Sequence, residues 1–136
     1  MTPQPETYLY VGTYTEDLPF VKAEAEGIYV YQFDSIQGGL TLLSHTTGDI
    51  NPAYVAFDPQ KRYLYSVNEV DALGDTNYGG VSAFSINPET KALTLLNQRS
   101  SKGTLPCHLM VNDAGAQLTV ANYGSGTVTV LPIQSD

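Results

Sequence analysis

Tryptophan is absent from this chain of 136 residues, cysteine occurs once, histidine twice, and lysine and arginine together six times. Each scarcity closes off a class of protein. With Cys107 as the sole cysteine there is no internal disulfide framework, which fits a reducing compartment. The basic residues Lys22, Lys61, Arg62, Lys91, Arg99 and Lys102 form no run, and against 14 acidic residues they leave a formal net charge of −8. A field of that sign repels polyphosphate and anionic lipid, so neither nucleic acid nor a membrane surface is expected as a partner. No apolar run approaches the roughly 20 residues of a membrane span. Residues 1–6 have neither the basic nor the apolar region of a signal peptide, and are read as a disordered lead. A cytoplasmic protein is the expectation. No stretch carries its apolar residues at a 3.6-residue period, so no long helix is predicted.

What is present favours strands. Ten tyrosines, with many Val, Thr and Leu, suit a pleated sheet, and 12 Gly with 8 Pro supply turns. Tyr8–Tyr14, Gly27–Phe33 and a strand opening at Leu40–Leu43 come first. Pro52–Phe57, Tyr63–Val67, Val81–Ile86 and Leu93–Leu96 follow. The last group is Leu109–Val111, Leu118–Ala121 and Thr127–Leu131, with a turn at Asn112–Gly115. The order repeats. Pro52 and Pro106 lie 54 residues apart, as do Asn68 and Asn122, and Leu40-Thr-Leu-Leu43 recurs 53 residues later at Leu93. A constant offset of that size marks a repeat architecture, and four short antiparallel strands per unit make a propeller blade. The expected fold is therefore all-β. Blade 1 covers about 8–46 without its innermost strand, blade 2 about 52–99, and blade 3 about 105–133, incomplete. About two and a half blades close no ring. The expectation is the N-terminal piece of a longer protein, or self-association of several chains.

In an antiparallel pair the start of one strand and the end of the next share an edge. His108 stands at such a start, Asn122 and Tyr123 at such an end, so an imidazole, an amide and a phenol converge on one rim. Tyr54 is the equivalent of His108 one repeat earlier; Glu69 and Tyr14 hold the matching rim of the second and first units. Each has a plainer reading: His108 as a histidine bonded to a turn, Glu69 as a solvated loop carboxylate, Asn122 as a turn former. Cys107, one residue before His108 in a strand, points to the other face, which argues against a Cys–His pair. Ser125 lacks the helix that follows a nucleophile elbow. His45 and His108 fall in different strand types without ligand spacing, and the acidic loop from Glu16 to Glu26 lacks calcium-loop spacing, so no metal is expected.

Several stretches, taken in order, carry a family resemblance: Tyr8-Leu-Tyr-Val-Gly-Thr-Tyr-Thr15, Gly27-Ile-Tyr-Val-Tyr31, Asn51-Pro-Ala-Tyr-Val55, Leu64-Tyr-Ser-Val-Asn-Glu69, Gly79-Gly-Val-Ser-Ala83, and Pro106-Cys-His108 with Ala121-Asn-Tyr-Gly-Ser-Gly126. Together they resemble the lactonase family of seven-bladed propellers, which includes propeller-type 6-phosphogluconolactonases and fungal carboxy-cis,cis-muconate cyclases. The resemblance implies seven blades, no obligatory metal or other cofactor, and hydrolysis of a sugar lactone. The first expected substrate is 6-phosphogluconolactone, of the pentose phosphate pathway. A carboxymuconate cycloisomerase and a non-catalytic binding propeller are the alternatives. His108 matches the histidine proposed as catalytic in the cyclase branch, acting as base or as substrate anchor. Glu69, Asn122, Tyr123, Tyr14 and Tyr54 are expected around the lactone. The Arg and Glu partners of that histidine have no counterpart in this sequence.

Overall fold

A computed structural model describes residues 5–135. Most of the expected disordered lead, residues 1–4, lies outside them. The described residues form ten strands and no helix. The first sheet joins β1 (Thr7–Val11), β2 (Gly27–Phe33) and β3 (Leu40–Thr47). The second joins β4 (Val55–Phe57), β5 (Tyr63–Asn68), β6 (Gly80–Ile86) and β7 (Leu93–Ser100). The third joins β8 (Pro106–Val111), β9 (Gln117–Asn122) and β10 (Thr127–Pro132). All pairings are antiparallel and run in chain order, so each sheet is a meander.

The repeat is written in the backbone more consistently than in the residues. Four positive-φ positions recur one repeat later: Gly38 and Lys91, Gly48 and Lys102, Asn51 and Leu105, Lys61 and Gly115. The β2–β3 bulge at Val30/Tyr31 recurs in β6–β7 at Ala83/Phe84. Four short polar side chains pin the hairpins remote from the rim. Asp34 Oδ1 accepts the N–H of Ile36 and Gln37, and Asn87 Oδ1 those of Glu89 and Thr90. Asp58 Oδ1 accepts from Arg62 and Tyr63, and Asn112 Oδ1 from Ala116 and Gln117. Such side chains mimic a backbone turn, which is why Asp and Asn stand there.

The period-2 alternation of strands decides what packs where. Ile28 of β2 meets Leu64 and Phe84 of the second sheet. On the other side Tyr65, Val67 and Val81 meet Leu109, Leu118 and Val120 of the third. The second sheet is thus covered on both faces. Fully burying each such side chain contributes about 1.5–3 kcal/mol. Leu118 and Val120 of the third sheet are 3% and 0% exposed against the second. The uncovered face is the opposite one, carrying Met110, Val128 and Val130, each more than half exposed. The pleat gives the alternation but not which neighbour claims which side.

Strand limits differ at the rim. β1 stops at Val11 because the chain then leaves the sheet, with Thr13 N–H donating to Pro52 O at 3.0 Å. Gly12 permits that approach: a Cβ there would fall 2.3 Å from Pro52 O. The strand expected from Pro52 starts only at Val55.

Candidate functional site at one rim

The residues that follow β1, β5 and β9 and the residues that open the innermost strands come together at one edge. β4 and β8 run beside each other as the inner strands of their sheets. This brings Tyr54 and His108, one repeat apart, into ring contact, with centroids 4.5 Å apart and planes tilted by 45°. Both rings are exposed at the rim. A bulge between Pro106 and His108 aims the imidazole: Pro106 lies opposite Asn122, His108 opposite Ala121, and Cys107 is left unpaired between them. Bulges commonly re-aim a side chain in this way. The thiol of Cys107 turns to Ala121 O at 3.8 Å, within its own sheet.

Tyr14, Glu69 and Tyr123 are one position in three successive units. Tyr14 Oη donates to Glu69 Oε2 at 2.9 Å. Burial, then the hydrogen bond to Glu69 and its charge, with a smaller contribution from Cys107, push the Tyr14 phenol up to about 12. Burial also raises the Glu69 carboxyl, and the bond from Tyr14 partly offsets it. The pair therefore presents a neutral phenol donor locked onto a carboxylate. Phe20 meets the Tyr14 ring edge-on at 6.4 Å. Tyr123 is 77% exposed, its N–H donating to Leu105 O at 2.9 Å just as Glu69 N–H donates to Asn51 O at 3.1 Å.

Asn122 departs from expectation. It ends β9 at the right height, but it shares the inward face of Leu118 and Val120 and is 2% exposed. Its Nδ2 donates to Ser101 O, Thr127 Oγ1 and Thr129 Oγ1, while Oδ1 has no partner. Asn122 is thus a hub inside the sheet, not a rim group. Asn68 does the same in the second sheet, with a buried carboxylate that sequence reasoning missed. Asp49 accepts from Ser66 and Asn68 at 2.9 and 2.7 Å, and from Ser82 and Gln98 at 2.7 and 3.3 Å. Asn51, fully buried, was also missed as a site residue. Among the described residues no three His, Cys, Asp or Glu side chains converge as metal ligands would. The rim offers an exposed imidazole against a tilted phenol ring, and a phenol–carboxylate pair for hydroxyl groups.

Antiparallel meanders packed face to face, with their inner strands side by side and polar groups gathered at one rim, define a β-propeller segment. Residues 8–136 match the family described as "Lactonase, 7-bladed beta-propeller", and the chain belongs to that family. It is similar to 6-phosphogluconolactonase of Bacillus subtilis, 37% identical over 127 residues, which are 93% of this chain and 33% of that protein. A 6-phosphogluconolactonase of Formosa agariphila is 31% identical over 85% of this chain and 30% of its own length. The solved structure of the periplasmic gluconolactonase of Pseudomonas aeruginosa superimposes with a TM-score of 0.80 at 32% identity, over 96% of this chain and 35% of that one. The chain spans about a third of the length of the relatives it matches. No described helix is long and apolar enough to cross a membrane.

Proposed function

We propose that the three sheets form the first part of a seven-bladed lactone hydrolase, with blades at about 8–46, 52–99 and 105–133, and that its substrate is 6-phosphogluconolactone. The observation that carries the reading is the exposed His108 ring held against Tyr54 at 4.5 Å, on the same rim as the Tyr14–Glu69 pair. The names of the relatives supply the substrate class. His108 takes a proton from water as its oxygen attacks the lactone carbonyl, forming a tetrahedral oxyanion. Collapse breaks the bond to the ring oxygen, and the imidazolium returns the proton to that leaving alkoxide. Tyr54 orients the imidazole. Glu69, Tyr14 and Tyr123 hold sugar hydroxyls, with the Tyr14 phenol staying a donor throughout the neutral range. Asn122 stands behind this site and does not touch the sugar. The six scattered basic residues offer no phosphate clamp, so further blades supply it.

The same reading assigns the partners. The uncovered face with Met110, Val128 and Val130 packs against further blades of a longer chain, or else drives self-association. Neither nucleic acid nor a membrane surface is a partner of a chain with a net charge of −8. A single cysteine fits a cytoplasmic location. The test is His108→Ala in the full-length protein. Phosphogluconate release should fall by roughly 100-fold or more while the fold is kept. Unchanged turnover with only weaker substrate binding would remove His108 as the base. Consumption of a muconate in place of a lactone would transfer the site to cycloisomerase chemistry.

A further inference from the structure

Tyr14, Tyr54 and Glu69 come from three separate segments, around residues 13–16, 51–54 and 67–70, and one buried residue touches all three segments. Asn51 is 0% exposed and sits at φ 42°, a left-handed conformation that asparagine tolerates better than most residues. Its Oδ1 accepts the N–H of both Thr15 and Glu16, at 2.8 and 2.7 Å, immediately after Tyr14. Its own N–H donates to Thr15 Oγ1 at 3.0 Å. Its carbonyl accepts Glu69 N–H at 3.1 Å and Ala53 N–H at 2.7 Å, next to Tyr54. Its Nδ2 donates to Glu69 O at 3.2 Å. Asn51 therefore grips the backbone on either side of the Tyr14–Glu69 hydrogen bond.

The next repeat separates the two halves of this device. Leu105 occupies the same position, also at positive φ, and its carbonyl accepts Tyr123 N–H as that of Asn51 accepts Glu69 N–H. The backbone half is general to the repeat; the amide half belongs to Asn51. Resting on the lactone site proposed above, we infer that Asn51 is its positioning residue: the side-chain amide fixes the loop of Tyr14 against the loop of Glu69, and so sets where the phenol and the carboxylate stand. Asn51 touches no substrate itself and acts through those two groups.

The test needs no turnover, so it can fail while the lactonase reading stands, and succeed while that reading falls. Asn51→Gly keeps the left-handed backbone and the carbonyl and removes only the amide. In the full-length protein we expect the Tyr14 phenol, followed by NMR at the tyrosine ring carbons, to fall from about 12 toward the ordinary value of 10.0. The amides of Thr15 and Glu16 should exchange at least about tenfold faster, with the strand amides still protected. An unmoved Tyr14 titration with Thr15 and Glu16 still protected overturns the inference. If Asn51→Gly does not fold, hydrogen exchange on the unaltered chain decides. The amides of Thr15, Glu16 and Glu69 should share one opening equilibrium. Thr15 and Glu16 opening independently of Glu69 would overturn it.

Discussion

In the second sheet Asn68 gives its amide hydrogens to Asp49 Oδ1 and Ile50 O, and its Oδ1 receives Ser82 Oγ at 3.0 Å and Gln98 Nε2 at 3.4 Å. In the third sheet Asn122, 54 residues on, places its amide against Ser101 O and two threonine hydroxyls and leaves its buried Oδ1 bare. Two replacements account for the difference. Gly103 stands where Asp49 stood, and a Cβ there would fall 2.5 Å from Asn122 Nδ2. Gln98 comes from the fourth strand of its sheet, and among the described residues β10 has no such strand beside it. Equal spacing in the sequence thus gives equal backbone but not equal chemistry. In the second sheet the hub centres on a buried carboxylate, and in the third on an uncharged amide among hydroxyl groups.

The sharpest way to break that comparison is Asp49→Ala. It removes the acceptor of four buried or half-buried donors and should cost about 3 kcal/mol or more, read from the denaturant midpoint at unchanged slope. A loss under about 1 kcal/mol would mean that the hub carries little of the second sheet. Next in size is the contrast between the two asparagines. Asn68→Ala should cost about 2–3 kcal/mol and Asn122→Ala about 1 kcal/mol, because Asn68 bonds a buried carboxylate and Asn122 only neutral groups. Equal losses would erase the distinction between a charged and an uncharged hub.

The smallest effect concerns the rim, and it is read by titration. The folded Tyr14 phenol lies above its unfolded value, so the stability it lends is complete below about pH 10 and is lost as the pH rises through about 12. Glu69, also raised, follows the same sign: its contribution is present below the unfolded carboxyl value and lost as the pH rises through the folded one. Absorbance titration of Tyr14→Phe should lack one late-ionising phenol, and Glu69→Gln should bring the Tyr14 step down. A Tyr14 step at the ordinary phenol value in the unaltered chain would contradict the pair.

Much of this was legible in the sequence, for physical reasons that also mark where legibility ends. The strands and their offset could be read because alternation and turn chemistry are local. Five of the eight recurring left-handed positions could not, since each pair holds glycine in one repeat at most: Gly38 is answered by Lys91, and Gly115 by Lys61. His108 and Tyr123 were placed at one edge by antiparallel geometry, and Tyr54, Glu69 and Tyr14 by the repeat. Asn122 was placed at the right height and the wrong side, because a strand end fixes level and the pleat fixes direction. Asp49 left no mark of its own, being one acidic residue in a loop. Its partners did leave one: Ser66 and Asn68 continue the buried parity of Leu64, and polar residues at buried positions require a partner.

The central claim is that one rim, and not the opposite edge, is the lactone site. Adding 6-phosphogluconate to the isotopically labelled full-length protein and following its amide resonances tests this directly. The account predicts shifts around residues 14–16, 54, 68–69, 108 and 123, with the hairpins at 58–61, 87–92 and 112–116 unmoved. Shifts confined to those hairpins would contradict it.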